Sequence, residues 1–306
     1  MKDDKTTQDR NATLMRAATY ASVTVATVLI VAKLGAWVMT GSVSLLSTLV
    51  DSVLDVLASL VNMYAVRQAL TPADEDHRFG HGKAEPLAGL AQSAFIGGSS
   101  LFLLFQAGER LINPKTIGNT DIGFAVMALS ILLTLVLIAF QRYVIKVTDS
   151  VAIKADSLHY QSDLFVNVGV VASIYLTVQM GWSFADPIFA LIIAVVIVKG
   201  AYEIAIQSLD LLMDKELPDE DRDKIKDVVL GCKGVKGLHD LRTRSSGPDS
   251  FIQVHVEMDG SIPLRQAHKI ADDVMYAVEK AFPRADVLVH QDPEGIKEAL
   301  PPFAHN

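Results

Sequence analysis

The stretch FAVMALSILLTLVLIAF, residues 124–140, holds no charged residue and nothing more polar than Ser130 and Thr134. A bilayer core about 30 Å thick needs around 20 mostly apolar residues per helix. This stretch therefore fixes the fold class: it predicts a membrane-spanning helix over about 120–145. Working outward, further stretches of spanning length fall at about 16–39, 42–66, 86–110, 150–179 and 186–208. The second and fifth spans are the weakest in hydropathy because they carry Asp51, Asp55, His159 and Asp163.

Composition agrees. Half of the 306 residues are hydrophobic and the mean hydropathy is +0.32, yet 20% are charged. Spans fill residues 14–208, and the chain from 209 to 306 reads as an ordinary water-exposed domain. The opening MKDDKTTQDRNATLMRAA has acidic residues and no small-residue cleavage site before the first span. Residues 1–13 are expected to be a retained polar tail and not a signal peptide. The single Cys232 excludes an internal disulfide and a Cys-based zinc site, and is expected to be a small core residue at a helix end. A net charge of −8 argues against nucleic acid as a partner.

Loop charges set the orientation, since Lys and Arg favour the cytoplasm. The N-terminal tail has Lys2, Lys5, Arg10 and Arg16; the loop after span two has Arg67, Arg78 and Lys83; the loop after span four has Arg142, Lys146 and Lys154. The first and fifth connections have none, and the third has Arg110 and Lys115. Both termini are expected in the cytoplasm.

Span two carries Asp51 and Asp55 in DSVLD, and span five carries His159 and Asp163 in HYQSD. A charge at mid-bilayer depth costs several kcal/mol, roughly 2.5–3.5 on insertion scales, so such residues usually mark function. Residues four apart share a helix face with Cβ atoms about 5–6 Å apart. The two helices run in opposite directions, and each pair lies roughly 10–15 Å from a surface at about 1.5 Å per residue. The pairs can meet at one depth, offering an imidazole nitrogen and three carboxylate oxygens. That tetrahedral set suits Zn²⁺ or Cd²⁺. A lone intramembrane Asp can serve a helix–helix hydrogen bond; two such pairs, one with His, favour metal.

These paired motifs resemble the signature of the cation diffusion facilitator family, and the likeness extends from about residue 14 to 292. It implies a homodimer in the inner (plasma) membrane of a bacterium. It also implies that the His–Asp pair on span five goes with zinc and cadmium, where an Asp–Asp pair goes with manganese. The His-rich loop that many eukaryotic relatives have between spans four and five is absent from QRYVIKVTDSVAIK. Leu158, beside the ligand His159, is implied to belong to a hydrophobic gate.

The loop TPADEDHRFGHGKAEP places Asp74, His77 and His81 at spacings of three and four. A solvated polar loop and a three-ligand turn are both open from spacing; the resemblance implies a zinc site, weaker than the membrane one. Lys83 and Asp214 read either as solvated charges or, by the resemblance, as an ion pair between subunits. Gly97, Gly98, Ser99 and Ser100 on span three suit close helix packing.

After residue 209 the periodicity changes. LPDEDRDKIKDVVLG reads as an amphipathic helix, VKGLHDLRTRSSGPDSFIQVHVEMDG as two strands around a Ser-Gly-Pro-Asp turn, SIPLRQAHKIADDVMYAVEKAF as a second helix, and ADVLVHQD as a last strand. The order αββαβ predicts a small sheet with both helices on one face, and the resemblance adds that the fold is metallochaperone-like. His255 shares a strand face with Gln253 and Glu257, and His290 shares one with Asp292. His239, His255, His268 and His290 read as scattered surface residues or as ligands; only terminal His305 is spare. The resemblance implies that His239 and His255 hold one zinc, His268 and His290 a second, with Asp292 bridging, in a regulatory site that braces the dimer.

The expected function is export of Zn²⁺, and of Cd²⁺, from the cytoplasm in exchange for protons by alternating access, as the helix pairs rock about the site. Zn²⁺ is both cargo and structural ion, and the chain is not an enzyme. Metal binding needs neutral His159 and ionised carboxylates, so metal entry releases protons. Histidine's ordinary pKa of about 6.5 makes His159 the natural titrating group. Burial disfavours charged carboxylates, making Asp51, Asp55 and Asp163 candidate co-carriers. An intramembrane metalloenzyme is the rival, but no HExxH occurs and the membrane set supplies four ligands. A membrane metal sensor and an exporter of Fe²⁺ or Mn²⁺ are further alternatives.

Overall fold

The structure, a computed structural model, describes all residues except 1, 41–42, 113–120, 181, 183–184 and 296–306. His305 and Lys115 thus lie outside the described residues. The chain divides into two compact units, residues 1–71 with 84–209, and residues 72–83 with 210–306.

The first unit is built of six helices: α1 (Lys2–Thr40), α2 (Val43–Ala69), α3 (Ala84–Ile112), α4 (Asp121–Thr148), α5 (Val151–Met180) and α6 (Ala185–Leu212). The shortest has 27 residues, about 40 Å at 1.5 Å per residue, which exceeds a bilayer core. Among the described residues, α1, α3, α4 and α6 are apolar enough to cross a membrane by composition. Helices α2 and α5 fall short because of the acidic residues they carry. Exposed Val31, Phe102, Leu132 and Val195 line the outside, as a lipid-facing surface requires. Residues 2–13 of the expected polar tail are continuous with α1.

Helix α5 packs against α1, α2, α3 and α4, and its first three turns are buried from Val151 to Tyr160. Small residues allow close approach. A Cβ on Gly89 would meet Val151 Cγ1 at 2.9 Å and Ser208 Oγ at 2.8 Å, and one on Gly200 would meet Leu158 Cδ1 at 3.0 Å. At Gly97 and Gly98, among the described residues, nothing beyond their own stretch of helix lies within 4 Å of a Cβ.

The second unit holds α7 (Asp219–Leu230), β1 (Gly237–Ser246), β2 (Asp249–Met258), α8 (Leu264–Ala281) and β3 (Ala285–Pro293). The sheet order is β1-β2-β3, with β1/β2 antiparallel and β2/β3 parallel. Gly247 opens the two-residue turn between Ser246 and Asp249 at φ +60°, a backbone that glycine adopts without steric cost. Ile252, Val254, Val256 and Met258 alternate along β2 and face Ile225 and Val229 of α7 and Ile270, Val274 and Val278 of α8. Both helices therefore cover one sheet face. Cys232 packs at the edge of this core, just after α7, with Sγ 3.3 Å from the Val228 carbonyl.

Candidate metal centres

In the first unit, α2 and α5 bring Asp55, His159 and Asp163 together, with one ligand atom from each within 4.8 Å of the others. His159 Nε2 lies 3.1 Å from Asp55 Oδ1 and 4.0 Å from Asp163 Oδ2. Ligands about 2.0–2.1 Å from a tetrahedral Zn²⁺ are roughly 3.3 Å apart, so these separations bracket what an ion needs. Asp51 is not part of this group. It lies exposed one turn earlier on α2, so three of the four expected ligands converge.

The triad is tied to its surroundings by groups one turn away. Tyr160 donates to the Ser22 carbonyl at 3.1 Å and lies 2.8 Å from Ser59 Oγ, which places Ser59 one turn beyond Asp55 on the same helix. Asp156, three residues before His159 and fully buried, accepts hydrogen bonds from Ser22 Oγ (2.5 Å), Gln141 Nε2 (2.7 Å) and Gln92 Nε2 (3.4 Å). Those partners come from α1, α4 and α3. The ring of His159 stands edge-on to Phe95 and Tyr160, with centroids at 6.0 and 5.5 Å. Leu158 packs into the cluster of Ile96, Ile197 and Ala201 from α3 and α6.

The second unit holds two further groups. In the 72–83 loop, Asp74 lies 3.2 Å from His77 Nδ1 and 3.4 Å from His81 Nε2. The His77 backbone N–H, at 2.7 Å, is the main cause holding the Asp74 carboxyl below the usual range, and both imidazoles add to it. His81 Nδ1 is buried without a hydrogen-bond partner, leaving Nε2 as the nitrogen that faces the group.

This loop packs with the tail. Phe79 stands edge-on to Phe251 at 5.4 Å, and the Arg244 guanidinium lies over both rings at 5.0 and 4.8 Å. Lys83 Nζ bonds Asp214 Oδ1 at 2.8 Å within one chain, so the two residues are brought together as an ion pair. Burial works against the Asp214 charge, but the Lys83 hydrogen bond and charge, helped by Arg244, outweigh it and hold the carboxyl below its ordinary pKa.

The sheet face opposite the helices carries a row of histidines. His239 is in register with His255, and His255 with His290. Asp292 meets all three: Oδ2 lies 2.9 Å from His255 Nδ1 and 3.5 Å from His239 Nε2, while Oδ1 lies 3.1 Å from His290 Nε2. A carboxylate that divides its oxygens in this way fits a bridge between two ions. Glu257, not singled out from spacing, bonds His239 Nδ1 at 3.1 Å. Asp240, on the irregularity in β1, is held below the carboxylate range by hydrogen bonds from Arg242. His268 is not brought to this group. It is exposed on α8, which covers the other face of the sheet, and pairs with Asp272 at 3.6 Å.

A helical membrane bundle with a His–carboxylate group between two of its helices, followed by an αββαβ domain with more such groups, defines a polytopic membrane protein that handles metal cations. Comparison with known proteins carries this further. The family model described as cation efflux transmembrane domain matches residues 19–213, and that described as cation efflux protein, cytoplasmic domain, matches residues 217–294. The cation-efflux pump FieF of Serratia proteamaculans is 48% identical, over 92% of this chain and 94% of its own. The pump of the same name from Escherichia coli K12 is 46% identical, over 92% and 93%. A solved chain of CzrB is 33% identical and covers 26% of this chain and 99% of its own, with a TM-score of 0.25. The chain belongs to the cation efflux family, the cation diffusion facilitators: it is a multi-pass membrane transporter of metal cations and not an enzyme.

Proposed function

We propose that this transporter moves Zn²⁺, with Cd²⁺ as a second cargo, out of the cytoplasm in exchange for protons. The observation that carries the reading is the convergence of Asp55, His159 and Asp163 between α2 and α5. One borderline-soft imidazole with carboxylates suits zinc. Asp51, one turn from Asp55 on the same helix, is the fourth ligand when α2 turns it inward. Metal requires neutral His159 and ionised carboxylates, so protons and metal exclude each other at one site. Alternating access then follows from rocking of α2 and α5 against the other helices, with Leu158 as part of the gate beside the site.

We further propose a homodimer in a bacterial inner membrane, with domains 1–13, 14–208 and 209–306 and both termini cytoplasmic. The tail site would be regulatory: His239 and His255 take one zinc, His290 takes the second, and Asp292 bridges. His268 lies across the sheet from these residues, so it reaches the second ion only from a second copy of the chain. Asp74, His77 and His81 form a weaker zinc site. The test is metal-competition flux in sealed proteoliposomes under an imposed pH gradient. Zn²⁺ uptake that Cd²⁺ inhibits and that collapses with the gradient is expected. Flux carried by Mn²⁺ or Fe²⁺ and indifferent to Zn²⁺ would contradict it.

A further inference from the structure

Lys33 is the only Lys or Arg between Arg16 and Arg67, and it sits within α1. A lysine inside a span is costly unless it reaches the interface or a partner. Here it turns to α2: Nζ donates to Ser52 Oγ at 2.5 Å and to the Thr48 carbonyl at 3.2 Å. Thr48 and Ser52 are one turn apart and flank Asp51. Ser52 directly follows Asp51 and precedes Asp55 by three residues, so the ammonium is anchored on the segment of α2 that carries both carboxylates. It therefore lies beside the transport site on the Asp51 side.

We propose that Lys33 is the fixed counter-charge of the transport site. The inference rests on the four-ligand reading above. Three ionised carboxylates around a divalent cation leave one negative charge over, and the Lys33 ammonium balances it. A neutral loaded site matters in low dielectric, where an unbalanced charge resists desolvation and so resists the rocking that carries the ion across. The same ammonium repels the cation and keeps binding weak enough for release. Ser52 and the Thr48 carbonyl fix the ammonium on α2 beside Asp51.

The test is initial-rate Zn²⁺ uptake against Zn²⁺ concentration by the full chain in sealed vesicles, for wild type, Lys33→Gln and Lys33→Arg, with Asp55→Ala as control. Losing the charge strengthens attraction for the ion while hindering its passage. Lys33→Gln is expected to lower KM on the order of tenfold and to lower kcat as well, and Lys33→Arg to restore both towards wild type. A loss of packing alone would not lower KM. An unchanged or raised KM in Lys33→Gln, or an Arg variant as impaired as the Gln one, overturns the proposal. If Lys33→Gln does not fold, Lys33→Arg decides alone by the same criterion. Asp55→Ala separates the two readings: full uptake there contradicts the site itself, whatever Lys33 does.

Discussion

His159 Nε2 on α5 stands 3.1 Å from Asp55 Oδ1 on α2, joining the two helices that, among the described residues, fall short of a membrane-spanning composition. The distance is short enough for a hydrogen bond and close to the spacing of two ligands on one ion. On the proposed reading, proton and metal compete for this pair of atoms.

Removing Asp156 tests how the ligand helix is held. Asp156→Ala leaves the Ser22, Gln141 and Gln92 donors without their shared acceptor in a buried site. The expected cost is about 2–4 kcal/mol, read as a lower unfolding midpoint in detergent. Asp156→Asn is milder, because the partnerless Gln141 Oε1 can accept the new N–H once the amide turns. Equal stability of wild type and the Ala variant would contradict this role.

The His159→Asp variant probes metal choice and proton coupling together. Four carboxylates replace an imidazole and three, so the preference for Zn²⁺ and Cd²⁺ should erode and Mn²⁺ be admitted. The pH midpoint of release should move, because the imidazole that must be neutral to bind metal is replaced by a carboxylate. Transport–pH profiles with the three metals in the same vesicles check this. An unchanged ranking and midpoint in a monodisperse variant would show that His159 is neither selector nor proton carrier.

On the proposed reading, the tail ligands act off the membrane path. His239→Ala or Asp292→Ala should lower bound zinc, weaken the dimer and reduce transport without abolishing it. Metal analysis, mass by light scattering and vesicle flux on one preparation check all three. Total loss of flux in a still-dimeric variant would put these residues on the route.

Acidity should loosen the 72–83 loop through Asp214. Its folded pKa is depressed, so the stabilisation from Lys83 and Arg244 is complete above the ordinary carboxylate value of about 3.9 and is lost as pH falls through the lower folded value. Hydrogen exchange of residues 72–83, corrected for the intrinsic pH effect, should show wild-type protection constant from pH 7 to about 5. Asp214→Asn should be less protected across that range. A wild-type loss of protection near pH 6 would assign the attachment to another group.

Much of this was legible in sequence because it is local. The i,i+4 pairs of α2 and α5, the weak hydropathy they cause, and the turn at Gly247 all lie within a few residues of chain. The His239–His255–His290 row follows from strand alternation once the register is known. What sequence could not show depends on partners far along the chain. Asp156 takes its three donors from three other helices, and Lys33 in a run of apolar residues gives no sign of Ser52. His268 shares the tail with the other histidines, but only the sheet between them shows that within one chain it stands on the opposite face. Lys83 and Asp214 are 131 residues apart, and spacing does not say that one chain holds both.

The central claim is that Asp55 and Asp163, with Asp51, hold the transported ion. Its most direct measurement is Zn²⁺ flux into sealed vesicles by Asp51→Ala, Asp55→Ala and Asp163→Ala, each first shown to be monodisperse. The account predicts flux no higher than in protein-free vesicles for all three, since each removes one of only four ligands. Wild-type flux in Asp55→Ala or Asp163→Ala would contradict the site, and wild-type flux in Asp51→Ala would limit it to the three residues that meet in the structure.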